Sequence, residues 1–236
     1  NVHIPSERLA REYTVVVLSD LHIHRVINPQ KIERIVSLAN ARNPDVVLLA
    51  GDIIDDDVRR VSKITALLKG LKASKGIYFV TGNHEFYAGY DETVRELANL
   101  GFMFLENDGA AVGEDLYLAG VPDTFAGAAY GKTPDLNRAF AKAGKGAFRL
   151  LVSHTPSDFA GRDFDLEVSG HTHGGQIFPF HIFAKLHNKY LSGLYPMPGG
   201  AEIYVSNGAG QWGPQMRFLA PSEITVLKLT PEKQEK

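Results

Sequence analysis

Hydrophobic residues in the first hundred positions form short continuous runs, each closed by a polar turn. Such runs, rich in Val, Ile, Leu, Phe and Tyr, predict buried strands at 13–20, 45–52 and 76–84. Apolar residues recur at helical spacing in the intervening and following segments, 29–43, 57–71 and 90–100. Alternating strands and helices predict right-handed crossovers and a mainly parallel sheet buried on both faces.

The second half of the chain contains more strand-like segments and fewer helical ones. Further strands are predicted at 102–105, 116–121, 147–153, 166–169, 201–206 and 223–229. One helix is predicted among them, at 134–143. We expect a second sheet that packs against the first with helices outside, in one domain spanning 1–236. The last residues, 230–236, are expected to be a disordered, solvent-facing tail.

The segment 176–198, QIFPFHIFAKLHNKYLSGLYPMP, fits neither the helical nor the strand period. It is aromatic and aliphatic, and it contains three prolines together with Lys185 and Lys189. A loop of this kind can cover an active site and contact acyl chains or a lipid surface. The alternative is that it packs beneath the second sheet. Trp212 likewise either lines the site or fills the edge of a core.

Composition narrows the classes of function. The 236 residues are 44% hydrophobic and 22% charged, as in ordinary globular proteins. A formal net charge of -2 argues against a nucleic-acid partner held by a broad basic surface. The absence of cysteine excludes disulfides, thiolate metal sites and cysteine nucleophiles. No apolar run reaches membrane-spanning length, and the first residues do not have the pattern of a signal peptide.

Polar residues able to bind metal follow five of the predicted strands. In α/β sheets such residues converge at the carboxyl ends of the strands, where ligands bind. They are Asp20 and His22, Asp52, Asn83 and His84, His154, and His171 and His173. Taken singly, each has an ordinary structural explanation: a helix N-cap, a turn residue or a satisfied histidine. Their recurrence at five strand ends favours a metal site.

The same residues form an ordered set of short motifs. These are Asp20-Leu21-His22, Gly51-Asp52-Ile53-Ile54-Asp55, Gly82-Asn83-His84-Glu85, His154 and Gly170-His171-Thr172-His173. The set resembles the calcineurin-like metallophosphoesterase superfamily, and it extends over residues 20 to 173. The resemblance implies an α/β fold: a four-layer α-β-β-α sandwich, with two mixed sheets flanked by helices.

The resemblance also implies two divalent metal ions at the strand ends. One would be held by Asp20, His22, Asp52 and His173. The other would be held by Asp52, Asn83, His154 and His171, so that Asp52 bridges the pair. Imidazole, carboxylate and amide ligands suit Mn, Fe or Zn better than Ca, and the sequence does not choose among these three.

The charge of the substrate suggests how such a site would act. A phosphate ester is an anion, so a nucleophile must overcome repulsion and lose a proton near neutral pH. Two cations lower the pKa of a bridging water from about 15.7 towards about 7 and neutralise phosphate oxygens. The resulting hydroxide attacks phosphorus.

The histidines and acids beside the ligands are given other roles. The resemblance makes His84 the residue that assists the leaving group, and the alternative is that His84 only orders its loop. Asp55 and Glu85 are expected to orient ligands or loops. His24 is expected at the surface or the rim of the pocket.

The neighbours of the motifs bear on the substrate. Protein serine/threonine phosphatases of this superfamily carry arginines beside the motifs, where this chain has Asp56 and Thr81. SDLHI, TGNHEFY and SGHTHGGQIFPF resemble instead a bacterial branch of phosphodiesterase-like proteins, often membrane-associated or exported. Some relatives in that branch cleave a lipid-linked pyrophosphate. We therefore expect a bacterial protein whose anchor lies outside this chain.

The sequence leaves three functions open. The favoured one is a phosphodiesterase or pyrophosphatase, with a lipid-linked phosphoester as a candidate substrate and peripheral membrane contact through 176–198. The alternative is a metal-dependent phosphomonoesterase or nucleotidase. A non-catalytic metal-binding module is the third, and it is disfavoured because no ligand of the motif set is missing.

Overall fold

Two six-stranded sheets organise the chain. The computed structural model describes residues 1–157, 159 and 163–232. The strands of the described part are Val2–Ser6 (β1), Tyr13–Leu18 (β2), Val46–Ala50 (β3), Ile77–Val80 (β4), Met103–Phe104 (β5), Asp108–Ala111 (β6), Leu116–Gly120 (β7), Phe148–Val152 (β8), Leu166–Ser169 (β9), Gly193–Pro196 (β10), Glu202–Val205 (β11) and Thr225–Pro231 (β12).

Five α-helices accompany the sheets in the described residues. They are Pro29–Asn40 (α1), Val58–Thr65 (α2), Asn83–Asn99 (α3), Leu136–Ala139 (α4) and Phe180–His187 (α5). In the portion of the chain that the structure describes, none of the helices combines the length and apolar character needed to cross a membrane.

The first sheet has the strand order β1-β12-β2-β3-β4-β5. The pairs from β2 to β5 are parallel, whereas β12 runs antiparallel to β2. Alternate residues of β2 face opposite sides of the sheet: Val15 and Val17 join the cluster shared with the second sheet, and Val16 and Leu18 join the cluster under the helices. Because both faces are covered, these strands are continuously apolar.

The second sheet has the order β10-β11-β9-β8-β7-β6. It is also mixed, since β10 and β6 are antiparallel to their neighbours and the others are parallel. Leu118, Leu150 and Leu166 face the first sheet, whereas Leu151 and Ile203 face away from it. Two mixed sheets packed face to face with helices outside confirm the predicted α-β-β-α fold. Over the outer face of the second sheet lies α4, a single turn, together with side chains from the loops.

The ends of the chain depart from the prediction. Thr230 and Pro231 were expected in a disordered tail, but they belong to β12 and pair with Pro5 and Ser6 of β1. The prediction for 230–236 is therefore wrong at its start, and 233–236 lie outside the described residues. Strand β1 was not predicted, because its alternating short sequence VHIPS carries little apolar signal.

Several helix boundaries also differ. The predicted helix 57–71 is α2 followed by a 3-10 turn through Gly70, and the predicted 134–143 shrinks to the one-turn α4. Helix α3 begins at Asn83, well before the predicted 90, and is interrupted at Gly89, where φ is 112°. The segment 176–198, predicted to be aperiodic, contains α5 and β10.

The cluster of buried side chains between the sheets predicts that truncating a side chain of β3 strongly lowers the stability of the fold. Leu48 of β3 is fully buried there, so Leu48→Ala should lower the free energy of unfolding by about 2–5 kcal/mol. Leu38→Ala on α1, where the side chain is 41% exposed, should change it by about 0.5 kcal/mol or less. Urea denaturation of both variants measures the difference, and equal losses would contradict this account of the core.

Candidate metal centre

Both sheets contribute strand ends to one edge of the molecule. Strands β2, β3 and β4 lead into the loops of the first sheet, and β8 and β9 lead into those of the second. The structure brings together at this edge all seven side chains proposed as ligands: Asp20, His22, Asp52, Asn83, His154, His171 and His173.

One group of potential ligands consists of Asp20, His22 and His173, all of them buried. Nε2 of His173 lies 3.4 Å from Oδ1 of Asp20 and 3.0 Å from Nε2 of His22. The two imidazole rings are stacked, with centroids 5.0 Å apart. The three ligand atoms lie within 4.8 Å of one another, close enough to bind one ion.

A second group consists of Asp52, His154 and His171. Nε2 of His154 lies 3.1 Å from Oδ2 of Asp52, and the same oxygen lies 3.8 Å from Nε2 of His22 in the first group. The Asn83 side chain joins through its Oδ1, which is 3.0 Å from Nδ1 of His171. Oδ2 of Asp52 thus lies within 3.8 Å of an imidazole nitrogen of each group, as a bridging ligand would.

The hydrogen bonds of the imidazoles fit metal binding. His154 places Nδ1 2.8 Å from the carbonyl of Ala50, a contact that leaves Nε2 directed at Asp52. Nε2 of His154 and Nδ1 of His22 are buried, and each faces a carboxylate, Asp52 at 3.1 Å and Asp55 at 3.3 Å, without the geometry of a hydrogen bond. A bound cation would give Nε2 of His154 a partner at the centre of the site.

Burial and charge set the protonation of the site. Burial lowers the pKa of His173 to about 4 and also lowers the pKa of His171. Both rings are therefore neutral near pH 7, and a neutral imidazole has the lone pair that a metal requires. Burial opposes ionisation of Asp52, but the adjacent His154 outweighs it and holds the pKa of Asp52 well below its usual range.

The backbone at these positions is strained. Nine non-glycine residues of the described chain have a left-handed φ, and five of them are proposed ligands: Asp20, His22, Asp52, His171 and His173. Such conformations cost of order 1 kcal/mol or more each in non-glycine residues and tend to cluster at functional sites. The strain supports a functional role for this edge of the molecule.

Glu85 holds two of the ligand loops together. Its buried carboxylate accepts hydrogen bonds from the backbone N–H groups of Gly82, Asp52, Ile53 and Ile54, at 2.7–2.9 Å. Burial and the charge of Asp52 raise the pKa of Glu85 to about 7, and the N–H donors act in the opposite direction. A Cβ at Gly82 would lie 2.2 Å from Oδ1 of Asp52, so only glycine fits there.

His84 lies on the open side of the site. Its Nδ1 is hydrogen bonded to Oδ1 of Asp55, and its Nε2 is 4.0 Å from Oδ2 of Asp52. Asp55 also approaches Nδ1 of His22, at 3.3 Å, so it contacts both imidazoles. Burial alone would lower the pKa of His84, but Asp55 and Asp52 raise it above its ordinary value. His24 lies apart from both groups and contacts Gln215.

A cleft of about 470 Å³ opens beside Asn83, His171 and His173. Its other walls come from 175–177, from α5 and from the segment 212–214, and they include Ile177, Phe180, Ala184, Trp212 and Pro214. The aromatic signal in 176–198 indicated such a wall. Two residues of this region were given no role from the sequence: Gln176, which lies within the motif SGHTHGGQIFPF and hydrogen bonds the backbone of Trp212, and Arg217, which belongs to no motif and whose Nη2 is 3.0 Å from Nδ1 of His173.

Comparison with known proteins identifies the family. The sequence profile described as calcineurin-like phosphoesterase matches residues 13–175. The chain belongs to the calcineurin-like phosphoesterase family. An uncharacterized metallophosphoesterase of Helicobacter pylori is 37% identical over 232 residues, which cover 97% of this chain and 62% of that protein. A Danio rerio protein named as a transmembrane protein with metallophosphoesterase domain is 35% identical, covering 97% and 56%.

The chain therefore spans less than two thirds of the length of these phosphoesterase relatives. Among solved structures, a 5'-nucleotidase precursor from Thermus thermophilus has a TM-score of 0.56 at 16% identity, covering 93% of this chain and 54% of the other. A dimetal phosphatase from Danio rerio has a TM-score of 0.53 at 14% identity, covering 83% and 87%. At such identities the likeness supports the phosphoesterase fold alone.

The four hydrogen bonds at Glu85 predict that its carboxylate matters for stability. Glu85→Gln replaces one acceptor oxygen by an amide that can only donate, so buried N–H groups lose their partner. The free energy of unfolding should fall by about 1–3 kcal/mol. Glu92→Gln on the exposed side of α3 is the matched control and should change it by about 0.5 kcal/mol or less. Comparable stability of both variants in urea would show that the hydrogen bonds accepted by Glu85 do not stabilise the fold.

Proposed function

We propose that this chain is a dinuclear-metal-dependent hydrolase of phosphodiesters or pyrophosphates. The observation that carries the proposal is the convergence of two ligand groups around Asp52, all of them buried except the half-buried His171. The cluster of side chains shared by the two sheets supports residues 1–236 acting as one domain.

Two divalent ions, Mn, Fe or Zn, fit the ligands present. Asp20, His22 and His173 would hold one ion, and Asn83, His154 and His171 the other, with Asp52 bridging. The described site residues offer imidazole, carboxylate and amide atoms, a mixture that suits these metals. When bound, such a pair lowers the pKa of a water and neutralises the charge of phosphate oxygens.

His84 is proposed to assist the leaving oxygen. Its side chain is 13% exposed, whereas those of Asp52 and His154 are almost fully buried. The carboxylate of Asp55 holds Nδ1 of the ring, which leaves Nε2 directed towards the Asp52 side of the centre. From this position Nε2 can donate a hydrogen bond to an oxygen on which negative charge develops.

The cleft favours a substrate with an organic group on each side of phosphorus. A phosphomonoester dianion is best held by cationic side chains, and Arg217 is directed instead at backbone carbonyls and Nδ1 of His173. The walls beside His171 are apolar, from Ile177 and Phe180. An apolar wall binds an esterifying group better than free phosphate oxygens.

A group of exposed apolar side chains beside the cleft supports a lipid-linked substrate. We call this group the apolar face. It consists of nine of the sixteen large apolar side chains that are exposed in the described residues: Phe178, Phe180, Ile182, Phe183, Leu186, Trp212, Met216, Phe218 and Leu219. The two segments that carry it are joined, since Phe178 donates its N–H to the carbonyl of Phe218 and the two rings are 6.5 Å apart.

Helix α5 has its apolar side turned outwards. Phe183 and Leu186 are 65% and 81% exposed, and Phe180 and Ile182 are exposed beside them. Phe180 and Ala184 also line the cleft. Large exposed apolar patches mark interaction sites, and apolar residues accompanied by lysine, here Lys185, are typical of helices at a membrane surface.

The Danio rerio relative is named as a transmembrane protein, and it extends well beyond the region it shares with this chain. We infer from the apolar face and from this relative that the bacterial protein acts at a membrane surface, with peripheral contact through 176–198. The substrate would then be a phosphodiester or pyrophosphate whose lipid part enters the cleft from the bilayer.

The proposal predicts metal-dependent cleavage of a simple diester. Metal-stripped protein should hydrolyse bis(p-nitrophenyl) phosphate only after Mn²⁺ is added, and more rapidly than p-nitrophenyl phosphate. His84→Asn should retain bound Mn²⁺ but lose turnover by about 10²- to 10⁴-fold, because an oxygen leaves without its proton donor.

Three results would contradict parts of this proposal. Faster turnover of the monoester would favour the phosphomonoesterase or nucleotidase alternative. Bound Mn²⁺ without turnover of either ester would favour a binding module. Full activity of His84→Asn would remove His84 from the chemistry while leaving the metal centre in place.

The membrane proposal predicts that the apolar face controls partition onto lipid. The triple variant Phe180→Ser, Phe183→Ser and Leu186→Ser should bind vesicles of phosphatidylethanolamine and phosphatidylglycerol tenfold or more weakly in a flotation assay. Each large side chain contributes about 1.5–3 kcal/mol when fully buried in an apolar medium.

The matched control removes three exposed apolar side chains elsewhere, by Val26→Ser, Leu38→Ser and Met103→Ser. This variant should float with vesicles as the unmodified chain does. Equal flotation of both triple variants, each with an intact circular dichroism spectrum, would show that the apolar face does not bind lipid.

A further inference from the structure

Arg217 connects three segments around one of the two ligand groups. Its guanidinium donates to the carbonyls of His173 at 3.0 Å, Asn207 at 2.7 Å and Gly210 at 2.9 Å. It also reaches the carbonyls of Gly208 and Ala220, at 3.3 Å and 3.2 Å. The side chain is half-buried, although the residues on either side of it are exposed.

The same guanidinium contacts the imidazole of His173. Nη2 of Arg217 lies 3.0 Å from Nδ1 of that ring. Because a guanidinium can only donate, Nδ1 accepts in this contact, and the neutral ring carries its proton on Nε2, which faces Asp20 and His22. Metal binding through Nε2 requires that proton to leave, so Arg217 supports the ligands through the backbone carbonyls that it holds and not through the ring.

The segment 207–210, which Arg217 grips, lies directly against the loop of Asp20. Ala209 and Gly210 donate their N–H groups to the carbonyls of Ser19 and Asp20, at 3.0 Å and 2.9 Å. The approach is so close that a Cβ at Gly210 would lie 2.2 Å from the carbonyl oxygen of Asp20. Arg217 therefore touches His173 directly and reaches Asp20 through one intervening segment.

We propose that Arg217 is a positioning residue for one metal only, the ion assigned to Asp20, His22 and His173. The N–H groups of its guanidinium link the turn that carries His173 to the segment 207–210, which supports Asp20. The second group, Asn83, His154 and His171, receives none of its hydrogen bonds in the part of the chain that is described. This inference rests on the proposed function, because it assumes that both groups bind metal.

The positive charge of Arg217 lowers the affinity of the site for a metal ion, whereas its hydrogen bonds raise that affinity. Substitutions can therefore separate the two effects. A positive charge behind His173 repels a divalent cation, although Asp20 and Glu223 face the guanidinium and offset part of its charge. Lys31 adds a second positive charge nearby. Loss of the charge alone would strengthen metal binding, whereas loss of the hydrogen bonds would weaken it.

Gln176 provides a control in the same region. Its amide accepts from the N–H of Trp212 at 2.9 Å and donates to the carbonyl of Trp212 at 2.7 Å. The side chain of Gln176 thus holds the wall of the cleft, and only the backbone N–H of this residue, which substitution by alanine keeps, bonds to His173. Gln176→Ala should alter the KM for a diester while leaving the metal affinity unchanged.

The test is titration of the metal-stripped chain with Mn²⁺ by calorimetry, with the bound ions counted by mass spectrometry under native conditions. Asn83→Ala assigns the two binding events, because it removes a ligand of the second group. Arg217→Ala and Arg217→Lys should each weaken the first-group event by about 10- to 100-fold and leave the second unchanged. Lysine keeps the charge but cannot span several carbonyls.

Each other outcome has a defined meaning. Tighter Mn²⁺ binding by Arg217→Ala, or unchanged binding by both variants, would overturn the positioning role. Equal weakening of both events would also overturn it, because it would indicate a general loss of structure. If Arg217→Ala does not fold, the lysine variant decides alone. If the unmodified chain binds no Mn²⁺, the proposed function itself fails, a result distinct from failure at Arg217.

Discussion

The convergence of seven polar side chains on one edge is the constraint on which this structure depends. Five of them lie on residues with a left-handed backbone after β2, β3 and β9, so that the chain turns sharply where these three strands end. That arrangement brings carboxylates and imidazoles together away from water, where unpaired polar atoms are costly. Glu85 offsets part of this cost by binding the N–H groups of the loops around Asp52.

The face-to-face packing of two sheets makes the site available. The first sheet supplies Asp20, His22, Asp52 and Asn83, and the second supplies the three histidines that complete the two groups. Neither sheet alone carries a full set for either proposed ion. The apolar cluster between the sheets therefore serves stability and ligand geometry together, because a shift of one sheet against the other would separate Asp52 from His154.

The region between 173 and 220 has two opposite characters. Towards the centre it is tightly held, by Arg217 on several carbonyls and by Gln176 on the backbone of Trp212. Towards the outside it exposes the apolar face, which contributes little to folding because it stays in water. Under the proposed function, the tightly held inner side would keep the site fixed while the apolar outer side contacts a lipid surface.

The sequence by itself determined the strand–helix order, the fold class and the identity of the residues that meet at the site. Those features rest on local periodicity and on short motifs, which are carried by neighbouring residues. Tertiary structure decided what depends on distant partners: β1 pairs with β12, the helix at 134–143 shortens to one turn, and 176–198 forms α5 with its apolar side outwards. The role of Arg217 was also decided by tertiary structure. An arginine among exposed residues forms no recognisable sequence pattern. Its hydrogen bonds arise only because segments 44 and 10 residues away in the chain fold around it.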